Sequence, residues 1–137
     1  KGNRKHAKEI LKYAFITTVF ISLLIYATVF ILANPITSVF NSENNILMQS
    51  ISVEGLRLYF ISSPFTGLNI IFSTYFTSIE KPIPSHILTL LRGFILIIPI
   101  VYIFCFIWGM TGIWLACPIA EITVAAAGYF IYRKICK

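Results

Sequence analysis

The sequence predicts an all-α, polytopic membrane bundle of four transmembrane helices. Of its 137 residues, 58% are hydrophobic and only 12% are charged, and the mean hydropathy is +0.85. Those values lie outside the range of soluble domains. Apolar stretches of bilayer-crossing length recur along the chain, and the Lys and Arg residues fall into blocks between them. The net charge of +6 belongs to those blocks. Its cations sit beside apolar spans and never interleave with aromatics on a polar surface, so no nucleic-acid partner is expected. The chain starts at Lys1 rather than Met, with no signal-peptide pattern ahead of its first apolar run. The expectation is a fragment of a longer chain.

Lys1, Lys5, Lys8 and Lys12 repeat at helical spacing. A short leader carrying this stripe is expected to lie on an anionic membrane face before the chain turns inward. The first span follows over 14–33, free of charge and long enough for the hydrocarbon core at about 1.5 Å per residue. Hydroxyls of Thr17, Thr18, Ser22 and Thr28 can return to the preceding turn. Asn34-Pro35 is expected to close this span, and Asn41-Ser42-Glu43-Asn44-Asn45 to form the outer turn. A helix starting at Ile46 then lies at the interface and feeds the second span, 56–79, which Glu80-Lys81-Pro82-Ile83-Pro84 ends. The third span is 86–108 and the fourth 112–132, antiparallel neighbours about the turn Gly109-Met110-Thr111-Gly112. One straight helix from Arg92 to Arg133 would be roughly 60 Å long, twice the hydrocarbon thickness, so a break is required there.

Four spans put every basic block on one side. Lys1, Arg4, Lys5, Lys8 and Lys12 precede the first span, Lys81 and Arg92 lie between the second and third, and Arg133, Lys134 and Lys137 follow the fourth. The opposite turns hold no Lys or Arg, with Arg57 alone near that side. This asymmetry predicts a multi-pass protein of the plasma membrane with both ends of the chain cytoplasmic.

The second span is the unusual one. On a helix, Leu58, Ile61, Phe65, Leu68, Phe72, Phe76 and Ile79 share one side, while Tyr59, Ser62, Thr66, Asn69, Ser73 and Thr77 recur on the other. Hydrogen-bonding groups go unmatched in lipid, so this row faces another helix or water inside the membrane. On the second alternative Tyr59, Ser62, Ser63, Thr66, Asn69 and Ser73 line a substrate cavity. Pro64, Pro99 and Pro118 interrupt the last three spans, and each leaves the carbonyl four residues back without its donor.

Glu121 is the one carboxylate inside a span, near the midplane, where an unpaired charge costs several kcal/mol. Two readings stand: a proton or cation site, or a structural pair with Arg92, whose separation of about 8 Å along the membrane normal is near the reach of an arginine and leaves pairing unforced. Ala116, Ala120, Thr123 and Ala127 form a small-residue packing face, and Trp108, Trp114, Tyr129 and Tyr132 read as interfacial anchors. Cys105, Cys117 and Cys136 lack metal-ligand spacing, and His6 and His86 fall outside the spans. No nucleophile, base and metal ligands converge at one depth, so an enzyme is not expected. A purely structural membrane subunit remains an alternative, although it would not need the polar row.

The stretch SSPFTGLNIIFSTYFTSIEKPIPSHILTLLRGFILIIPIVYIF, followed by GMTGIWLACPIAEI, resembles the C-terminal part of multidrug and toxic compound extrusion (MATE) transporters. The matching features are a polar helix ending near Glu80-Lys81-Pro82, then Leu90-Leu91-Arg92, then Gly109, Gly112 and Trp114 with Pro118 and Glu121 after them. The leading GNRKHAKEILKYA resembles the basic connection before that family's ninth helix. The resemblance implies helices nine to twelve of a two-lobed multidrug efflux antiporter. Such a protein exports cationic or amphipathic drug-like xenobiotics in exchange for Na+ or H+, with no cofactor beyond the coupling ion. Its partners would be membrane lipid and the N-terminal lobe of the same chain. One branch of the family carries a coupling aspartate where Gly67 stands here, so the resemblance points to the DinF-like branch. A lipid-linked saccharide flippase of the same superfamily is the runner-up; it would show more intramembrane cations than Arg92.

Overall fold

The computed structural model describes residues 4–136, with side chains described at His6 and from Glu9 to Ile135. All regular structure among the described residues is helical. In chain order the helices are α1 (Arg4–Phe40), α2 (Ile46–Tyr59), α3 (Ser63–Ser78), α4 (Pro82–Leu90), α5 (Ile97–Trp108) and α6 (Met110–Cys136). A single 3-10 turn (Phe60–Ser62) joins α2 to α3, and a π-helical turn (Leu91–Ile95) followed by Leu96 joins α4 to α5. The result is four rods.

The first rod corrects two expectations. Leader and span form one 37-residue helix with no inward turn, and Asn34-Pro35 does not close it. Pro35 withholds one backbone donor, but polar side chains stitch the turn around it. Thr37 Oγ1 donates to the Ala33 carbonyl at 2.8 Å, Ser38 Oγ to that of Pro35 at 2.8 Å, and Gln49 Nε2 to that of Asn34 at 3.1 Å. At roughly 55 Å, α1 exceeds the hydrocarbon core. Of the basic stripe, only the Lys12 side chain lies among the described residues.

The outer turn forms where the asparagine cluster predicts it. Asn41 Nδ2 donates to the Asn45 carbonyl at 3.0 Å, Asn44 takes a φ of 52°, and the Asn45 side chain caps α2 by accepting from Met48 N at 3.2 Å. The helix that then starts at Ile46 is not a separate interfacial element. It is the first half of a rod, 46–78, antiparallel to α1. Gln49 Nε2 meets Thr37 Oγ1 at 2.8 Å, the Arg57 guanidinium lies 4.6 Å from the Phe30 ring centre, and Phe72 meets Phe15 at 5.1 Å between ring centres. Pro64 explains the 3-10 turn midway, since the Phe60 carbonyl loses its α-helical donor there.

Glu80, with a φ of 60°, turns the chain, and the Lys81 amide returns to the Phe76 carbonyl at 2.9 Å. Pro82 and Pro84 then open α4 rather than ending in coil, because the first amides of a helix need no intrahelical acceptor. The third rod thus starts at Pro82, not at 86. Its π turn sits one turn before Pro99, with Leu96 N bonding the Leu91 carbonyl at 3.0 Å. Gly109 alone makes the next turn, at φ 60° and ψ −131°, a conformation that favours glycine. Gly112 lies inside α6, where a Cβ would overlap the Phe104 carbonyl of α5. Pro118 leaves α6 unbroken.

Among the described residues, three stretches are long and apolar enough to cross a membrane: Glu9–Phe40, Pro82–Trp108 and Met110–Ile135. The polar row and the 3-10 turn mark out the remaining rod, which nevertheless lies at the centre, touching α1, α4 and α6. α3 runs parallel to α6: Asn69 meets Glu121, a Cβ on Gly128 would press on Phe72, and Tyr75 meets Tyr132 at 5.6 Å between ring centres. Leu11, Phe72, Tyr75, Phe76, Leu88 and Val124 form the core, at the end where α1 begins, α3 turns into α4 and α6 finishes. Lys12, Lys81, Arg133 and Lys134 gather at that same end. Ala116 and Ala120 are buried as predicted, but their face continues through Val124 and Gly128, and Thr123 is exposed. Trp108 and Tyr129 are exposed, whereas Trp114 packs on Gly55 and Tyr132 joins the core, so neither of these two is a simple surface anchor.

Candidate functional site

Halfway along α3 the polar row meets the lone intramembrane carboxylate. Asn69, only 2% exposed, donates through Nδ2 to both the backbone carbonyl of Glu121 at 3.0 Å and its Oε2 at 2.7 Å. The other carboxylate oxygen, Oε1, lies 3.4 Å from Arg92 Nε. Glu121 is buried while the Arg92 side chain keeps 38% of its surface. A charge-assisted amide bond and a guanidinium thus offset the desolvation of a carboxylate in an apolar interior. The axial separation read from sequence is bridged because the π turn that carries Arg92 packs directly on α6. The Asn69 partner has no local sequence signal, being 52 residues away. Asn69 Oδ1 is buried without a hydrogen-bond partner among the described residues.

The rest of the row divides. Ser73 Oγ pairs with Ser85 Oγ of α4 at 2.6 Å, and Thr77 Oγ1 lies 3.2 Å from the same hydroxyl. Ser62 is buried and donates to its own Tyr59 carbonyl at 2.6 Å. Asn69 and Ser73 therefore join helices, the first of the two alternatives. Tyr59 is 45% exposed. The half-buried Ser63 and Thr66 hydroxyls make no hydrogen bond within the described residues. The opposite side of α3 is not given over to lipid either, since Phe72 and Phe76 are buried against other rods.

Arg92 sits in the π turn and Ser62 in the 3-10 turn, so the site lies between two interruptions of helical regularity. At Gly67, where one MATE branch carries its aspartate, a Cβ would overlap the Thr18 methyl. A side chain at position 67 would therefore have to displace the Thr18 side chain of α1. Among the described residues no three His, Cys, Asp or Glu side chains cluster as metal ligands. The chemistry available is a buried carboxylate whose counter-ion, Arg92, is itself half in contact with the surroundings. A proton or small cation arriving at Glu121 competes directly with that guanidinium.

The MatE family model matches residues 1–103, which takes in α1 through the first half of α5. Among curated proteins, the FAD transporter of Shewanella oneidensis is 26% identical over 140 residues, covering 99% of this chain and 30% of that protein. The chain thus spans under a third of the length of that relative. No solved structure matches.

Proposed function

Because this chain belongs to the MatE family, we propose that it is the C-terminal-lobe portion, helices nine to twelve, of an antiporter that exports amphipathic organic compounds against Na+ or H+ entry. Membership makes it part of a membrane transporter and points away from catalysis. The observation that carries the exchange reading is the Asn69–Glu121–Arg92 junction. One carboxylate holds together the central rod, the π turn and α6, so neutralising it frees Arg92 and lets the third rod shift against the other two. The 3-10 and π turns are the points where α3 and α5 can bend. Ser63, Thr66 and Tyr59 would border the substrate path, with both chain ends cytoplasmic.

The substrate has a second reading. A relative named a FAD transporter, aligned over nearly the whole chain, favours a flavin dinucleotide over a cationic drug. The flippase alternative loses ground, because Arg92 is engaged with Glu121 and does not stand free for a pyrophosphate. The test uses the complete transporter in proteoliposomes loaded in parallel with FAD or a cationic dye. Glu121→Gln keeps the amide contact to Asn69 but removes the charge. The expected result is normal insertion with ion-driven export lost; export at the wild-type rate would refute the role of Glu121, and the cargo that moves decides the substrate.

A further inference from the structure

A cavity lies away from the junction, at the basic end of the bundle. It is an apolar slot of about 340 Å³, with α3 as its floor (Leu68, Phe72) and α1 and α6 as its walls (Phe15; Ala125, Tyr129). Lys12 lines one lip. Arg133 does not line the slot itself, but one turn on from Tyr129 its guanidinium sits 6.0 Å from the centre of that lining ring. Both cations are exposed, and among the described residues neither is within ion-pair distance of a carboxylate. An aromatic and aliphatic slot with one unpaired cation on its wall and a second beside its lining Tyr129 ring complements a molecule with an apolar tail and an anionic head. In a bilayer, anionic phospholipid is the abundant species of that shape, and juxtamembrane Lys and Arg attract it. Lys12 and Arg133 can lay their stems along the slot while their charges stay at headgroup level.

We propose that this slot is a binding site for one anionic phospholipid, an acyl chain lying over Phe72 and the phosphate held between Lys12 and Arg133. The site ties α1 to the end of α6 through the lipid. It does not depend on the transport reading, nor on which way the chain faces.

The test uses the complete transporter, purified from vesicles containing equal phosphatidylglycerol and phosphatidylcholine, with retained lipid counted by native mass spectrometry. Wild type should keep phosphatidylglycerol in preference to phosphatidylcholine. The double variant Lys12→Glu/Arg133→Glu should lose that preference by roughly thirtyfold, the worth of two basic residues near a membrane surface. Ala125→Trp, which fills the slot without touching charge, should abolish retention, and Lys81→Glu, off the slot, should preserve it. Melting temperatures of all variants separate lost lipid from lost fold. Equal retention by wild type and the double variant would overturn the proposal. So would a cysteine at position 125 that cross-links to another segment of the transporter, because protein would then cover the slot.

Discussion

α3 and α5 invert the rule learned from soluble proteins. α5 is the more apolar of the two, yet none of its residues is buried, and Phe106 is 93% exposed. α3 is the helix loaded with Ser, Thr and Asn, yet it buries Asn69, Phe72, Tyr75 and Phe76 against its neighbours. The reason lies in the solvent. Lipid tails offer no hydrophobic penalty for exposed Ile and Phe, so apolar surface does not drive helices together; unmatched hydroxyls and amides do. Hydropathy alone does not mark the inside here.

That contrast breaks most sharply at its aromatic positions. Phe76→Ala, at a side chain with no exposure, should destabilise the complete transporter by about 3–5 kcal/mol. Phe106→Ala should stay within about 0.5 kcal/mol. Unfolding in detergent micelles checks both, and equal losses would erase the distinction. Next comes Glu121→Ala, which strands the Asn69 amide and Arg92. It should cost about 2 kcal/mol, less than for a fully buried pair because the Arg92 side chain keeps 38% of its surface. Glycines sharpen the comparison further. Gly112→Ala drives a methyl into the Phe104 carbonyl and should cost about 1–3 kcal/mol, whereas Gly93→Ala meets nothing and should be neutral or gain up to about 1 kcal/mol. Among variants that break a contact, Ser85→Ala should do least: it removes the hydroxyl shared with Ser73 and Thr77 and should cost about 0.6 kcal/mol.

Much of this was legible from residue order. The Asn41–Asn45 turn, the helix start at Ile46 and the glycine at position 109 each follow from a local conformational preference. Axial distance left the Arg92–Glu121 pair as one of two open readings, which the 3.4 Å contact bears out. What escaped depends on contacts between distant residues. Pro35 reads as a stop until Gln49, from the next rod, satisfies the carbonyl beside it. Pro82 and Pro84 read as a terminator, although the same lack of a donor suits a helix start. Asn69 reads as a cavity residue until Glu121 is found beside it, and nothing local predicts that Trp114 meets Gly55 rather than the interface. The π turn at Arg92 has no sequence signal beyond the proline one turn later.

The account turns on the Ser63–Thr66 side of α3 being wet in the working transporter while α5 is not. In a version of the complete protein lacking its native cysteines, single cysteines at positions 63, 66 and 106 can be challenged in native membranes with a charged, membrane-impermeant thiol reagent. Labelling at 63 and 66, blocked by transported substrate, with none at 106, is the predicted pattern. Silence at 63 and 66 would mean that the polar row of α3 only binds helices together.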